Sequence, residues 1–188
     1  MSDSLKVPVS ALPHVSKLYQ TYIANFPALA EFYGVDYRTL TSLAAHAQRT
    51  QQATYPRREV AEILKTQNTH WGANEKVLQN LTALAQPNSI AVVTGQQVGI
   101  FGGPLFTIYK ALTCLKLAQS LSAQLGVQVV PIFWLAADDD DLPEMNRLVL
   151  QTRENTLTTL SCELDSVARK PAFKVHLTPQ VEECHRMI

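Results

Sequence analysis

The stretch Thr94-Gly95-Gln96-Gln97-Val98-Gly99-Ile100-Phe101-Gly102-Gly103-Pro104-Leu105 constrains this chain more than any other. It lies between an apolar run, Ile90 to Val93, and a long helical pattern beginning near Pro104, which is the order strand, loop, helix. Four glycines within nine residues are unfavourable unless the backbone needs positive φ angles or must come very close to something. A ligand is one such partner and neighbouring backbone is the other, and from sequence both stand. The helix that follows offers unpaired N–H groups and a partial positive charge, a site for phosphate or carboxylate. Thr94, Gln96 and Gln97 add neutral hydrogen-bonding side chains, and Gly95, Gly99, Gly102 and Gly103 allow close approach, so these seven are candidate substrate-binding residues. Pro104 suits the first helical position. Neither the GK[ST] ending of a P-loop nor the G-x-G-x-x-G spacing is present. Lys110, two turns into the helix, is a further candidate if its side chain reaches back to the crevice.

Leu105, Ile108, Leu112, Leu115 and Leu121 predict a helix with one apolar face from Pro104 to about Gln124, ended by Gly126. Val127 to Leu135 is nearly all apolar, as a parallel strand covered on both faces should be, with its paired part expected after Pro131. The result is a βαβ unit with a right-handed crossover. Parallel strands point the same way, so the glycine loop and Asp138-Asp139-Asp140-Asp141 should face one crevice at the edge where open α/β sheets bind ligands. Four adjacent aspartates repel one another, so burial would raise some pKa values or demand a cation, for which their oxygens suit Mg²⁺. The plainer alternative is a solvated acidic loop opening a helix at Leu142 and Pro143.

The region before the first strand reads as helices. One is expected from Pro13 to about Asn25, broken by Phe26-Pro27, followed by a short segment closed by Gly34. Asp36 is the expected N-cap of the next, another starts near Pro56, and Asn74 caps a fourth with Val77, Leu78, Leu81 and Leu84 on one face. Gln86 to Ser89 is a turn. After the acidic run, Arg147–Gln151 and Thr156–Leu164 read as a hairpin around Arg153-Glu154-Asn155, Ala172–Leu177 as another strand, and Thr178-Pro179 as the opening of a helix that stops about two turns in. The fold class is therefore α/β: a Rossmann-like parallel sheet core preceded by an N-terminal helical layer, with a short β hairpin after the βαβ unit. The domain reading is a helical layer over 1–89 and a Rossmann-like α/β region over 90–188, apparently truncated.

Sixteen basic and sixteen acidic residues cancel, which removes any general attraction to nucleic acid or an anionic membrane. No apolar run approaches the ~20 residues that span a bilayer, and Met1 to Val9 carries no signal-peptide core, so the expected location is cytoplasmic. Cys114, Cys162 and Cys184 fit neither a disulfide framework nor a CxxC motif and are expected to be reduced and buried. His14, His46, His70, His176 and His185 are scattered without ligand spacing, and no hydrolase triad can be placed. The metal, if any, is unknown.

The unbroken string TGQQVGIFGGPLFTIYKALTCLKLA resembles the bacillithiol biosynthesis cysteine-adding enzymes, a family of cysteine ligases. The resemblance implies a Rossmann-like core, small-molecule substrates (cysteine and glucosaminyl malate), formation of a carbon–nitrogen bond, and a correspondence of these residues to the N-terminal third of a longer chain. Joining a carboxylate to an amine requires activation of the carboxylate, so ATP and Mg²⁺ are suspected. FWLAADDDDLPEMN resembles the family's tryptophan-led strand and acidic motif. That match makes Trp134 and Asp138 binding candidates and Asp139 and Asp141 catalytic candidates, one as a base toward the attacking amine. Asp140 stands where the family usually has histidine, which puts any acid–base role at that position in doubt. The resemblance continues weakly through an arginine-rich helix ending in asparagine, adding Arg57 and Asn68 as binding candidates, against the ordinary reading of a solvated helix face. A non-catalytic or vestigial ligand-binding domain and a nucleotidyl-transfer domain with another substrate are the competing readings. Apolar surface left open where the last helix stops would favour a homo-oligomer.

Overall fold

The computed structural model describes residues 6–165 and 170–186. The chain divides between Tyr55 and Pro56 into two compact units. The first begins with a 3-10 turn, Val9–Ala11, and continues with α1 (Lys17–Ala24), a 3-10 turn over Phe26–Leu29, α2 (Ala30–Tyr33) and α3 (Leu40–Gln52). Helix α1 starts later than the Pro13 expected from sequence: His14 has φ 62°, and Ser16 is the N-cap, accepting from the Tyr19 N–H. Gly34 closes α2 in the left-handed region. Asp36 is not the cap of α3. Thr39 is, accepting from the Ser42 N–H, while Asp36 holds Arg38 through Nε at 2.9 Å and Nη2 at 3.0 Å. The unit's small core is aromatic, with Phe26 buried and Tyr22 stacked on Tyr37 at 5.0 Å.

The second unit opens with two helices, α4 (Arg57–His70) and α5 (Glu75–Leu84), the latter capped by Asn74 as expected. Strand β1 (Ser89–Gln97), α6 (Leu105–Leu125) and β2 (Gln128–Ala136) form the βαβ unit, and β1 and β2 pair in parallel, Ser89 opposite Gln128 through Gln97 opposite Ala136. Leu81, Leu84 and Val130 form a core cluster, joined by Leu64, Val77, Leu78 and Ile132. Helices α4 and α5 close that cluster over the sheet, and this compact unit begins at Pro56. Helix α7 (Leu142–Met145) precedes a hairpin of β3 (Arg147–Gln151) and β4 (Leu157–Ser161), turning at Asn155 with φ 61°. α8 (Gln180–Arg186) follows.

Several elements differ from their sequence patterns for physical reasons. Pairing of β2 includes Pro131, opposite Val92, instead of starting after it; a strand with one neighbour has a free edge where a missing N–H does no harm. The strand pair is not covered on both faces at its C-terminal half, where Val93, Trp134 and Leu135 are exposed. Of the expected stripe Leu121 is buried, but Leu105, Ile108, Leu112 and Leu115 are exposed; the rest of the buried face of α6 is Cys114 and Ala118, whose small side chains let the helix sit close to the strands. Pro104 is the N-cap of α6 and not its first residue. Ala172–Lys174 is a 3-10 turn, and the strand expected over Ala172–Leu177 is reduced to one bridge between Leu164 and Leu177. The Thr178 hydroxyl donates to the Glu163 carbonyl. None of the described helices is long and apolar enough to cross a membrane.

Candidate functional site

The glycine stretch is two structures rather than one loop. Thr94 to Gln97 continue β1, paired with Phe133 to Ala136, and the turn proper is Val98 to Pro104. Gly95 is therefore a strand glycine: a Cβ there would sit 2.7 Å from the Trp134 carbonyl oxygen and 2.9 Å from the Trp134 Cβ. Gly103, at φ 73° and ψ −165°, holds a conformation open almost only to glycine, and its Cα would lie 2.8 Å from a Cβ placed on Gly99. The turn is folded against itself at Gly99 and Gly103. Phe101 occupies the left-handed region at φ 54°, its ring stacked on His185 at 6.0 Å, while Ile100 is buried among Leu148, Cys162 and Cys184.

Beyond this turn the ends of the two parallel strands converge on the acidic loop. Lys110 reaches back from α6 and donates from Nζ to Gln96 Oε1 at 2.9 Å; Gln96 Nε2 donates to Gln97 Oε1 at 3.1 Å; Gln97 Nε2 donates to Asp139 Oδ2 at 2.8 Å. The ammonium can only donate and the ionised carboxylate only accept, so the charged ends fix the orientation of both amides. Asp139 Oδ1 takes the Asp141 N–H at 3.1 Å. The Gln97 amide first, then the backbone N–H of Asp141, holds the Asp139 carboxyl below the usual carboxylate range despite partial burial. The loop is pinned from beneath by Ala172 N–H to the Asp139 carbonyl at 2.9 Å and Phe173 N–H to the Ala137 carbonyl at 3.0 Å.

A carboxyl with a depressed pKa contributes stability that is fully present above its unfolded value, about 3.9, and is lost as pH falls through the folded value. Asp139→Asn should therefore lower stability at neutral pH, and the gap to the wild type should narrow as the buffer is taken below about pH 4. Urea midpoints measured at neutral and acid pH check this; a gap that is constant with pH would contradict it.

The remaining candidates are distributed as follows. Asp138 and Asp140 are exposed, and Asp141 accepts the Glu144 N–H as the N-cap of α7, so part of its carboxylate is engaged in local structure. Thr94 and Lys110 line an open, mainly apolar hollow of about 370 Å³ with Val93, Phe106 and Tyr109. Trp134 is 64% exposed beside Gly95. Gly102, at φ 90°, lies in the turn. Arg57 is not brought to this edge. Its Nη1 donates to the carbonyl and hydroxyl oxygens of Ser89, the first residue of β1, roughly 26 Å of strand from Gln97. Asn68 donates from Nδ2 to the Leu64 carbonyl one turn back. Thr107 was not singled out from sequence, yet its Oγ1 is buried without a hydrogen-bond partner among the described residues, 3.4 Å from a Cβ placed on Gly103. Only the turn's three-dimensional closure marks it. The described residues contain no group of three or more His, Cys, Asp or Glu arranged to hold a metal, and both Asp139 oxygens accept hydrogen bonds.

Residues 4–188 match the family described as "Bacillithiol biosynthesis BshC, N-terminal Rossmann-like domain". A protein named "Putative cysteine ligase BshC" from Salinibacter ruber is 39% identical over 140 residues, covering 74% of this chain and 26% of its own. Proteins of the same name from Koribacter versatilis and Heliobacterium modesticaldum are 33% and 35% identical, over 94% and 76% of this chain and 32% and 27% of theirs. The chain thus spans between a quarter and a third of the length of these curated relatives. The glycine turn, the parallel strand pair and the match over 4–188 place the chain in the BshC family of bacillithiol biosynthesis, within its N-terminal Rossmann-like domain.

Proposed function

We propose that this chain carries a small-ligand site of a ligase that adds cysteine to the amino group of glucosaminyl malate in bacillithiol biosynthesis. The observation that supports this most is the ordered chain Lys110, Gln96, Gln97, Asp139 across the C-terminal ends of β1 and β2, the edge at which open α/β sheets take ligands. A cation and an anion stand at the two ends of that chain. Lys110 suits a carboxylate or phosphate group, and Asp139 suits an ammonium group.

The depressed pKa changes the role proposed for Asp139. A general base works best with a pKa near the operating pH, and this carboxyl is moved the other way. Asp139 therefore serves in this reading as an acceptor that holds the amine, while Asp141 keeps the loop in shape through the α7 cap. Thr94, Gly95, Gly99, Gly102 and Gly103 shape the floor, and the Thr107 hydroxyl is a free hydrogen-bonding group beside the turn. Activation of the cysteine carboxylate, as a phosphate or adenylate, belongs in this reading to a nucleotide bound with the substrates. Arg57 and Asn68 act structurally in this reading, tying α4 to β1 and closing its last turn.

Tryptophan fluorescence tests the site. The chain has two tryptophans, Trp71 and Trp134, both exposed, so a Trp71→Phe background isolates Trp134. Titration with glucosaminyl malate, cysteine and ATP with Mg²⁺ should give a saturable change, weakened at least tenfold by Gln97→Ala, about 1.4 kcal/mol or more. A folded wild-type chain whose fluorescence does not respond to any of these compounds would remove the site from this chain. Saturable binding without any ligation product would favour the second reading, a binding domain that does not itself catalyse, to which the local engagement of both Asp139 and Asp141 already points.

A further inference from the structure

Two of the three cysteines, far apart in sequence, meet in the fold. Cys162, 1% exposed, follows β4, and Cys184, 5% exposed, lies in α8; both belong to one cluster with Ile100 and Leu148. The Cys184 thiol lies close enough to act on the Cys162 thiol. The backbone of Cys162 is fixed on both sides, its N–H to the Asn146 carbonyl at 2.8 Å and its carbonyl accepting from Asn146 Nδ2 at 3.1 Å. The Cys184 thiol points at the Ser161 carbonyl at 3.7 Å, next to its partner. Cys114 is placed differently: its thiol donates to the Val92 carbonyl at 3.2 Å, under α6.

We propose that Cys162 and Cys184 are a redox-active dithiol that closes to a disulfide, fastening α8 to the end of β4, on reaction with a low-molecular-weight disulfide. In the first step the Cys184 thiolate, its proton released to solvent, attacks one sulfur of the small disulfide. That S–S bond breaks, a mixed disulfide forms on Cys184, and one small thiolate leaves and takes up a proton. In the second, the Cys162 thiolate attacks the Cys184 sulfur, forming the protein disulfide and expelling the second small thiol. The protein loses two electrons and two protons, and the small disulfide is reduced to two thiols.

Burial and the neighbouring thiol push the Cys162 thiol up to about 11, so at rest Cys162 is protected, because the thiolate is the reacting form. Access comes through local opening of α8. Oxidation should then accelerate with rising pH. The disulfide holds the helix that carries His185 against Phe101, and with it one wall of the glycine turn.

The test uses the 188-residue chain and glutathione disulfide in mildly alkaline buffer, followed by denaturation, alkylation and peptide mapping. The expected result is a cross-linked pair of peptides containing Cys162 and Cys184, reversed by dithiothreitol, with Cys114 alkylated. The oxidised chain should melt roughly 5–10 °C higher, as closing a loop of about 20 residues predicts. Cys114→Ser should leave the cross-link unchanged. Full alkylation of all three cysteines after exposure overturns the proposal, as does glutathione retained on one of the pair without a cross-link, or a Cys114 adduct formed in preference. Ligand titration plays no part in this readout, so its outcome is independent of the ligase reading.

Discussion

Gly95→Ala should destabilise the chain by about 1–3 kcal/mol, and Gly95→Val by more, although Gly95 lies in an ordinary extended strand. The cause is space. An added Cβ would meet the Trp134 carbonyl oxygen at 2.7 Å and the Trp134 Cβ at 2.9 Å, and the carbonyl is backbone of the paired strand that cannot swing away as a side chain can. Relief requires β1 and β2 to separate at the Gly95–Trp134 pair, one residue before Gln96 and two before Gln97. The variant should therefore lose stability and the Lys110 to Asp139 chain together. Thermal melting reads the first loss. The second appears as a change in Trp134 fluorescence in the folded protein, without ligand. Gly126→Ala is the comparison: it has open space around the new methyl and only its left-handed φ of 64° to resist, so it should lose about 1 kcal/mol and leave Trp134 undisturbed. Equal losses with no fluorescence change at Gly95 would mean that the strand pair yields more easily than this contact implies.

The same glycine explains what the sequence could and could not convey. A strand–glycine–helix order is legible because apolar runs and helical periods are local properties, and the βαβ unit, the hairpin around Asn155 and the caps at Gly34, Asn74 and Gly126 all appear where local rules put them. Which glycines form the turn is not local. Gly95 and Gly99 look alike in sequence, yet one is required by a cross-strand carbonyl and the other by Gly103. Asp36 and Thr39 are both sound N-cap residues, and Arg38 decided between them by occupying the Asp36 carboxylate. Among the site candidates, Gln97 and Asp139 meet in a hydrogen bond because parallel strands end on one edge, a topological inference that needs no coordinates. The reach of Lys110 depended on side-chain length and helix placement, which the spacing does not encode. Arg57 shows the reverse case: an arginine at a helix start can serve an anion or a backbone carbonyl equally well, and here it serves Ser89.

Leu81→Ala should be the most damaging truncation in the second unit, at about 2–5 kcal/mol, because Leu81 is 7% exposed and packs with Leu84 and with Val130, which is 1% exposed. The lost methyl groups leave a cavity between α5 and the strand pair that two helices and a parallel ladder cannot collapse around without shifting β2. Leu112→Ala removes the same atoms from a residue that helical periodicity marks as core, but Leu112 is 48% exposed, so the change should be under about 1 kcal/mol in this chain. Urea denaturation of both variants separates helical period from actual burial, since the two residues are chemically identical and both lie in helices. A large loss at Leu112 would show that the apolar face of α6 is covered in solution, by another copy of the chain if the loss grows weaker on dilution and the wild type scatters light as a dimer. A small loss at Leu81 would mean that α4 and α5 do not supply the support beneath β2, and that the sheet end carrying Gln97 is held chiefly from α6.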